Sequence, residues 1–389
     1  MKRCLLFIAI MVCNFTLTAA EIRLDSVKVS HFGDYYLRTL EYESDLNTIT
    51  CYHHYHDDNI AEWNQNAKTI VAKDNNTINV SIYILTNSQW ELSRRFIYEY
   101  NSKGDMISKT IYPDNQRYSW EFDAQGHSIK SLDYTLKNEE WVLTYYTEST
   151  WDNDLLSKVK AYSLGYTGNF YLTSETSISY DDQNRMVVSL TTNGAGKNSS
   201  KIEKQYTETS EIESAYIWET STSTWKGSWR NETIYNANGR VVSQTNYNYN
   251  DQWNLTTRSL YSYDNDNNRT KYTKESYSGI EWYMYEQTLY TYDNTIDISD
   301  VFGLTTYIEY ISGGGVYSPV SINNPLLTET SLNGDESTIS LIQYFYSDGE
   351  VNAIENTTIA DSIYKVIRNG QILILRDGKT FNTLGVEIE

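Results

Sequence analysis

One short segment near the N-terminus holds three of the five histidines in the chain. The segment combines a thiol, imidazoles and carboxylates in Cys51, His53, His54, His56, Asp57 and Asp58. Thiolate and imidazole groups are ligands that suit zinc or copper. Successive side chains of a β-strand point to opposite faces, so Cys51 and His53 would project away from His54 and His56. We therefore expect a solvated strand end here and no metal site.

Other polar groups give no stronger catalytic or metal-binding pattern. The segment 264–268 is rich in Asp and Asn but lacks the loop length and the distal Glu of an EF-hand calcium site. Glu139 and Glu140 are carboxylates of the kind used for acid and base catalysis, but neighbours on a strand face opposite sides. Gly-x-Ser-x-Gly, His-Glu-x-x-His and phosphate-loop motifs are absent from the sequence. We predict a non-enzymatic protein with no catalytic residue, no metal and no cofactor.

Aromatic residues recur in pairs that are ten positions apart. The first member of each pair, here called the first anchor, is Trp90, Trp141, Phe170, Trp225, Trp253 or Trp282. The second member, the second anchor, is correspondingly Tyr100, Trp151, Tyr180, Tyr235, Tyr263 or Tyr292. With a degenerate copy at Tyr206, the second anchors from residue 151 onward recur about every 28 residues. A fixed period of this length indicates a tandem repeat.

The anchors form a candidate aromatic ladder, because Trp and Tyr rings stack on sugars or on apolar partner surfaces. The candidate residues are Trp90, Trp141, Trp225, Trp253, Trp282, Tyr100, Tyr180, Tyr235, Tyr263 and Tyr292. The alternative is that these rings fill the core, since Leu, Ile and Val are scarce on the same face. We favour the core for the Trp anchors, with any binding carried by Tyr residues at opposite or edge-exposed positions.

Each repeat has the pattern of a β-hairpin. From Trp253 to Tyr263 aromatic and hydroxyl residues alternate with a more polar set, which predicts a strand with both anchors on one face. Segments such as 101–104, 236–239 and 264–268 consist of the residues that favour tight Asx turns. A second alternating strand at 243–249 returns the chain. Two strands and two turns account for the period.

These repeats predict an all-β fold, an extended antiparallel sheet that twists or coils. A propeller fits less well because its blades usually need four strands and about 40 residues, while closure into a wide barrel is the other possibility. We predict a signal peptide at 1–20, the hairpin array at 21–295, an irregular linker at 296–350 and a C-terminal β tail at 351–389. The array is clearest from 90 to 295.

The N-terminus has the features of a cleavable secretion signal. Lys2 and Arg3 precede an apolar stretch over 4–17, and Ala20 ends a run of small residues. The stretch is shorter than the roughly 20 residues that span a bilayer. Val12 before Cys13 does not fit a lipoprotein signal. Cleavage after Ala20 would leave one cysteine and no second apolar stretch of spanning length.

Composition excludes two classes. The 51 acidic residues exceed the 31 basic ones and give a net charge of -20, which argues against nucleic acid as a partner. Aromatic residues make up 14% of the chain, too many for a disordered protein.

Two copies of the repeat resemble a known motif. Residues 261–269, Tyr-Ser-Tyr-Asp-Asn-Asp-Asn-Asn-Arg, and 234–241, Ile-Tyr-Asn-Ala-Asn-Gly-Arg-Val, resemble the Tyr-Asp repeat of Rhs-like shell proteins. The intervening Trp and Tyr-x-Tyr elements are similar to hairpin arrays of secreted proteins from Bacteroidales. The copy at 151–154 lacks Gly and Arg, and the copy at 206–208 lacks Asp.

The C-terminal segment differs in kind from the repeats. Asn369-Gly370 and Asp377-Gly378 predict hairpin turns on either side of an aliphatic strand. The segment resembles the tails of Bacteroidales proteins that are read by the type IX secretion system, although it ends in Val-Glu-Ile-Glu and not in lysines. The alternative is a small β-module that caps an open edge of the array.

Taken together, these features favour a secreted or outer-membrane surface protein of a Gram-negative bacterium. The predicted roles are adhesion, scaffolding, or binding of a glycan or a host or cell-surface protein, and the tail would engage the secretion machinery. The alternative is a polysaccharide-active enzyme or an Rhs-like shell fragment without a recognisable active site.

Overall fold

The protein consists of β-strands and turns. A computed structural model describes residues 22–31, 34–43, 47–57, 62–297, 301–302, 323–335, 337–347, 364–368, 371–376, 379–382 and 387–388. No helix occurs in these residues, and none of them belongs to a helix that could cross a membrane. The chain divides into two compact units, one up to Asp348 and one from Gly349 onward. The predicted signal peptide lies outside the described residues.

The strands of the first unit are long, mostly 7 to 13 residues. They are β1 Ile22–His31, β2 Asp34–Tyr42, β3 Thr48–Asp57, β4 Glu62–Asp74, β5 Thr77–Thr86, β6 Gln89–Tyr100, β7 Met106–Tyr112, β8 Gln116–Phe122, β9 Ser128–Lys137, β10 Glu140–Asp152, β11 Leu155–Leu164, β12 Phe170–Tyr180, β13 Met186–Asn193, β14 Asn198–Tyr206, β15 Ser210–Glu219, β16 Thr224–Tyr235, β17 Val241–Asn250, β18 Gln252–Tyr263, β19 Arg269–Tyr277, β20 Trp282–Tyr292, β21 Val301–Phe302, β22 Leu326–Asn333 and β23 Thr338–Ser347.

The sheet closes on itself. Each strand from β1 to β20 pairs antiparallel with the next, β20 continues to β22 and β23, and β23 pairs antiparallel with β1. Of the strands that the structure describes, 22 form this ring, and the short β21 adds to it in parallel beside β1. The all-β prediction is confirmed. The expectation of an open sheet is wrong, because β1 and β23 hydrogen-bond to each other and leave neither strand as a free edge.

Strands β22 and β23 belong to this sheet, so the predicted irregular linker is wrong for these two segments. β22 and β23 lack a first anchor, and for this reason the sequence pattern did not identify them as part of the repeat array. They keep the other features of a repeat: Asn333 Oδ1 accepts backbone N–H bonds from Asp335 and Ser337, and the Tyr346 hydroxyl donates to the Leu326 carbonyl oxygen at 2.9 Å.

The turns follow from the Asn and Asp residues that the sequence places there. Asn101 Oδ1 accepts the backbone N–H groups of Lys103 and Asp105 at 2.8 and 3.0 Å. Asn236 does the same for Asn238 and Arg240. These bonds confirm the predicted Asx turns. At the opposite strand ends, two-residue turns at 87–88 and 138–139 have positive φ at both positions, the geometry that suits strand twist in hairpins. The turn at 153–154 has the same geometry but lies at the same strand ends as the Asx turns.

One extra residue interrupts every anchored strand three positions after its first anchor. In β18, Asn246 pairs with Thr257 and Tyr247 with Leu255, which leaves Thr256 as a β-bulge. The same shift occurs at residues 93, 144, 173, 228 and 285 of the sister strands. Because a bulge inverts the alternation beyond it, the two anchors of a strand lie on opposite faces. The expectation that they share one face is wrong.

The apolar core lies on the second-anchor face near the closing seam. Its buried members come from β1 to β5, β22 and β23, and are Leu24, Val27, Leu40, Ile49, Cys51, Val71, Ile78, Val80, Leu326 and Tyr344. The second anchors Tyr100 and Tyr292 pack against this cluster. Within the described residues, burial of aliphatic side chains is therefore concentrated at one arc of the sheet.

The second unit is a separate four-stranded sheet, with β24 Tyr364–Arg368, β25 Gln371–Arg376, β26 Lys379–Asn382 and β27 Glu387–Ile388. β25 pairs antiparallel with β24 and with β26, as expected for the aliphatic strand between two hairpin turns. The turn residues themselves, at 369–370 and 377–378, lie outside the described part of the chain.

Candidate functional site

The first anchors form a band of half-buried rings on one face of the sheet. Four of them carry a cation from the next-but-one strand of the sheet over the ring, 4.5 to 5.1 Å from the ring centroid. These pairs are Lys68 on Trp90, Lys201 on Trp225, Arg230 on Trp253 and Arg258 on Trp282. Cation–π contacts of this kind hold both partners in place. The band therefore alternates aromatic rings with positive charge.

The second anchors are also half-buried and tie neighbouring turns together. The Tyr263 hydroxyl donates to the Val241 carbonyl oxygen at 2.7 Å, and Tyr292 donates likewise to Arg269. Tyr180 and Tyr206 repeat the bond to Leu156 and Met186, and the indole of Trp151 bonds Ser128. Each bond joins the end of one strand to the start of the strand before it. The second anchors are therefore structural.

A basic side chain after the Asx turn packs on the next anchor. Arg185 forms an ion pair with Asp181 and lies 4.4 Å from the Tyr206 ring centroid. His127 bonds Asp123 at 2.9 Å and stacks on Trp151 at 4.6 Å. The side-chain hydrogen bond from Arg185 is the largest cause that lowers the pKa of Asp181. Desolvation is the largest single cause acting on Asp123 and raises its pKa, but hydrogen bonds from His127 and Gly126 together lower it. The carboxylates of Asp123 and Asp181 therefore stabilise the turns through hydrogen bonds.

The band contains a cleft of about 370 Å³ at the junction of β15, β16 and β17. Aromatic and polar groups line it together: Ile217, Trp218, Glu219, Lys226, Gly227, Ser228 and Tyr249. Trp218 packs edge-on against Trp225 at 5.0 Å, and Tyr249 packs edge-on against Trp253 at 5.1 Å.

Gly227 shapes this cleft. It stands two residues after its first anchor, where every sister strand has Leu or Met, namely Leu92, Leu143, Leu172, Leu255 or Met284. A Cβ atom at Gly227 would lie 2.4 Å from Cδ2 of Tyr249 and 3.0 Å from Trp253. The Tyr249 ring therefore occupies the space that an aliphatic side chain fills elsewhere.

The Cys–His segment lies on β3 and is divided between the two faces. Cys51 pairs with Leu40 and His53 with Arg38, whereas His54 pairs with Leu37, which confirms the separation inferred from alternation. His53 Nε2 lies 3.2 Å from Thr69 Oγ1, and His54 Nε2 lies 3.1 Å from Thr39 Oγ1. Within the described residues no group of three or more His, Cys, Asp or Glu could hold a metal ion. The aspartate side chains at 57 and 58 are outside this description.

Cys51 itself is fully buried in the core and not at a solvated strand end. Burial raises the pKa of the Cys51 thiol to about 12. Burial, with nearby Arg38 and His54, lowers the pKa of His53 to about 4. Burial also lowers the pKa of His54. The imidazoles are therefore neutral at pH 7, and the thiol is protonated.

The other candidate carboxylates, Asp264, Glu139 and Glu140, lie in turns or at the start of a strand. Asp264 accepts the backbone N–H of Asn268 through Oδ1 at 2.8 Å and its side-chain amide through Oδ2. Asn268 is fully buried and donates to Asn324 Oδ1 at 2.8 Å, which fixes the chain entering β22. Glu139 lies in a two-residue turn with a φ of 68°, and Glu140 begins β10. The structure does not bring these two carboxylates together with other candidate residues.

The bulge and the cleft were not predicted from the sequence. A hydroxyl side chain three positions after every first anchor was an available signal for the bulge: Ser93, Thr144, Thr173, Ser228, Thr256 and Tyr285. The hydroxyls of Thr144, Thr173 and Thr256 donate to backbone carbonyl oxygens of the facing strand at 2.9 to 3.1 Å. The Gly227 exception among Leu and Met residues marked the cleft.

Comparisons with known proteins give weak likenesses. No protein-family model matches the sequence, and no curated protein matches it. A solved protein of unknown function from Bacteroides fragilis is 18% identical, with 30% of this chain and 91% of that chain covered and a TM-score of 0.28. A porin-like protein from Bacteroides uniformis is 8% identical, with 83% and 98% covered and a TM-score of 0.25.

A third solved structure, TcdB2-TccC3-TEV, is 10% identical to this chain, with a TM-score of 0.26. The match covers 91% of this chain and 22% of that one. At TM-scores below 0.5 these likenesses assign neither a fold nor a function to the chain.

Proposed function

We propose that the protein is a non-enzymatic, secreted or cell-surface repeat protein that binds a glycan in the cleft beside Gly227. The observation that carries the proposal is the composition of this cleft. Trp218 and Tyr249 offer aromatic surfaces that suit the apolar faces of sugar rings. Glu219, Lys226 and Ser228 also line the cleft and bring polar atoms to the same place.

Size and setting support this proposal. A volume of about 370 Å³ falls within the range of roughly 300–1,000 Å³ that is usual for small-molecule sites. The long aromatic band on either side would extend the contact along a polymer. The predicted secretion signal would deliver the protein to a compartment where polysaccharides are exposed.

The test is a glycan array probed with residues 21–389, followed by titration of the best glycan against two variants. Trp218→Ala should weaken binding about fivefold or more, since a stacked ring contributes roughly 1 kcal/mol. Trp229→Ala is the matched control, because Trp229 is 41% exposed on the opposite face of β16. Equal affinity of both variants would refute the proposal, and hydrolysis of the bound glycan would favour the polysaccharide-active enzyme instead.

A further inference from the structure

A second cavity lies on the opposite face of the sheet, close to the closing seam. It measures about 390 Å³ and is partly open. Its walls come from β1 to β4 and from β23. The aliphatic lining is supplied by Val29, Leu37, Ala67 and Ile342, and the polar lining by Tyr36, Arg38, His53, His54 and Asn66.

Arg38 is the one charged side chain among these lining residues. It faces the core side of the sheet, between Val27 of β1 and His53 of β3. Its guanidinium makes no hydrogen bond or ion pair with any described residue. The titratable groups that interact with it electrostatically are the Cys51 thiol, the Tyr344 hydroxyl and the His53 ring. None of these groups carries a negative charge at neutral pH.

The guanidinium of Arg38 lacks a counter-charge among the described residues. The guanidinium stays charged in proteins and has five N–H donors. Arg38 is half-buried, and a charge that loses part of its hydration without gaining a counter-charge is unfavourable, whereas a guanidinium paired with a carboxylate through two parallel hydrogen bonds is favourable. The whole chain carries 51 acidic residues, yet no described carboxylate reaches Arg38. The cavity beside it leaves room for an anion to come from outside the protein.

We propose that this cavity binds a small amphiphilic organic carboxylate. The carboxylate pairs with Arg38, and the apolar body lies along Val29, Ala67 and Ile342. His53, neutral and on the same face of the sheet as Arg38, provides a hydrogen-bonding ring nitrogen beside the carboxylate without adding charge. This site is distinct from the Gly227 cleft in its face, its strands and its ligand class.

The test is isothermal titration calorimetry of the purified protein with decanoate, and with decanol as the neutral analogue. We expect saturable binding of decanoate and at least tenfold weaker binding of decanol. Arg38→Gln should weaken decanoate binding tenfold or more, on the scale of charged hydrogen bonds. Arg95→Gln is the matched control and should bind like the parent, because Arg95 is an exposed arginine that bonds Asn79.

A cavity-filling variant keeps the test decisive if loss of Arg38 prevents folding. Ala67→Leu retains the charge but places its larger side chain in the cavity, so it should abolish decanoate binding while Trp218→Ala leaves it intact. Decanol bound as tightly as decanoate, unchanged binding in a folded Arg38→Gln protein, or absence of saturable decanoate binding to the parent would each overturn the proposal.

Discussion

The hydroxyl of Tyr263 donates a 2.7 Å hydrogen bond to the backbone carbonyl oxygen of Val241. Val241 is the first residue of β17, directly after the Asn236 turn, and Tyr263 is the last residue of β18, directly before the Asp264 turn. The bond therefore joins two successive turns at the same rim of the sheet. Equivalent bonds in the sister copies make it a repeated tie between neighbouring hairpins.

Removing this hydroxyl should destabilise the protein modestly. We expect Tyr263→Phe to lower the free energy of unfolding by about 1 kcal/mol, the net value of one hydrogen bond whose acceptor is left without its partner. Tyr283→Phe serves as control, because Tyr283 is 52% exposed. Urea unfolding followed by tryptophan fluorescence measures both, and equal loss in the two variants would contradict a specific tie.

Truncating a first anchor should have a larger effect. Trp253 is half-buried, carries Arg230 over its ring at 4.5 Å, and contacts Tyr249 and Tyr216. We expect Trp253→Ala to cost roughly 3 to 5 kcal/mol, as large aromatic deletions do in cores. Thermal unfolding monitored by circular dichroism measures the change. A variant that melts like the parent but loses glycan affinity would show that Trp253 is a recognition residue.

Adding a methyl group at Gly227 should disturb the ring beside it. Gly227→Ala would place Cβ against Cδ2 and Cγ of Tyr249, and we expect a cost of about 1 to 3 kcal/mol from overpacking. In a Tyr249→Ala background the same substitution should cost clearly less, because the obstructing ring is gone. Urea titrations of the parent, Gly227→Ala, Tyr249→Ala and the double variant give the four free energies of unfolding that this double-mutant cycle needs. Additive costs would rule out the contact as the cause.

The thiol of Cys51 should be unreactive in the folded protein. It is fully buried, and burial raises its pKa to about 12, so the thiolate fraction at pH 8 is negligible. We expect iodoacetamide to label Cys51 only after unfolding in denaturant, as read by mass spectrometry of the peptide that contains it. Rapid labelling under native conditions would contradict the buried position.

Acidification should weaken the fold through His53. Its pKa is about 4 in the folded state, below the ordinary value near 6.5 that applies to the unfolded chain. Between these values the unfolded state binds the extra proton, so stability falls as pH drops from about 6.5 to 4, by up to about 3 kcal/mol. His53→Gln should reduce this loss, as urea unfolding at pH 7, 5.5 and 4.5 would measure. An unchanged pH dependence would contradict a buried, neutral His53.

The sequence by itself determined the parts of this protein that depend on neighbouring residues. Alternating polarity and the absence of helical periodicity specified strands, and Asn or Asp at 101, 236 and 264 specified the Asx turns, because a side-chain oxygen reaches backbone N–H groups only two to four residues away. The separation of Cys51 from His54 followed from the period of a strand.

Tertiary structure decided what depends on pairing across strands. The bulge at Thr256 is defined only against β17, and it sends Trp253 and Tyr263 to opposite faces, which simple alternation cannot show. Closure depends on β1 meeting β23, residues more than 300 positions apart, because local patterning does not choose which distant edge a strand will pair with. The Gly227 cleft and the Arg38 cavity arise from the same long-range pairings, since each is lined by several strands that only the folded sheet brings together.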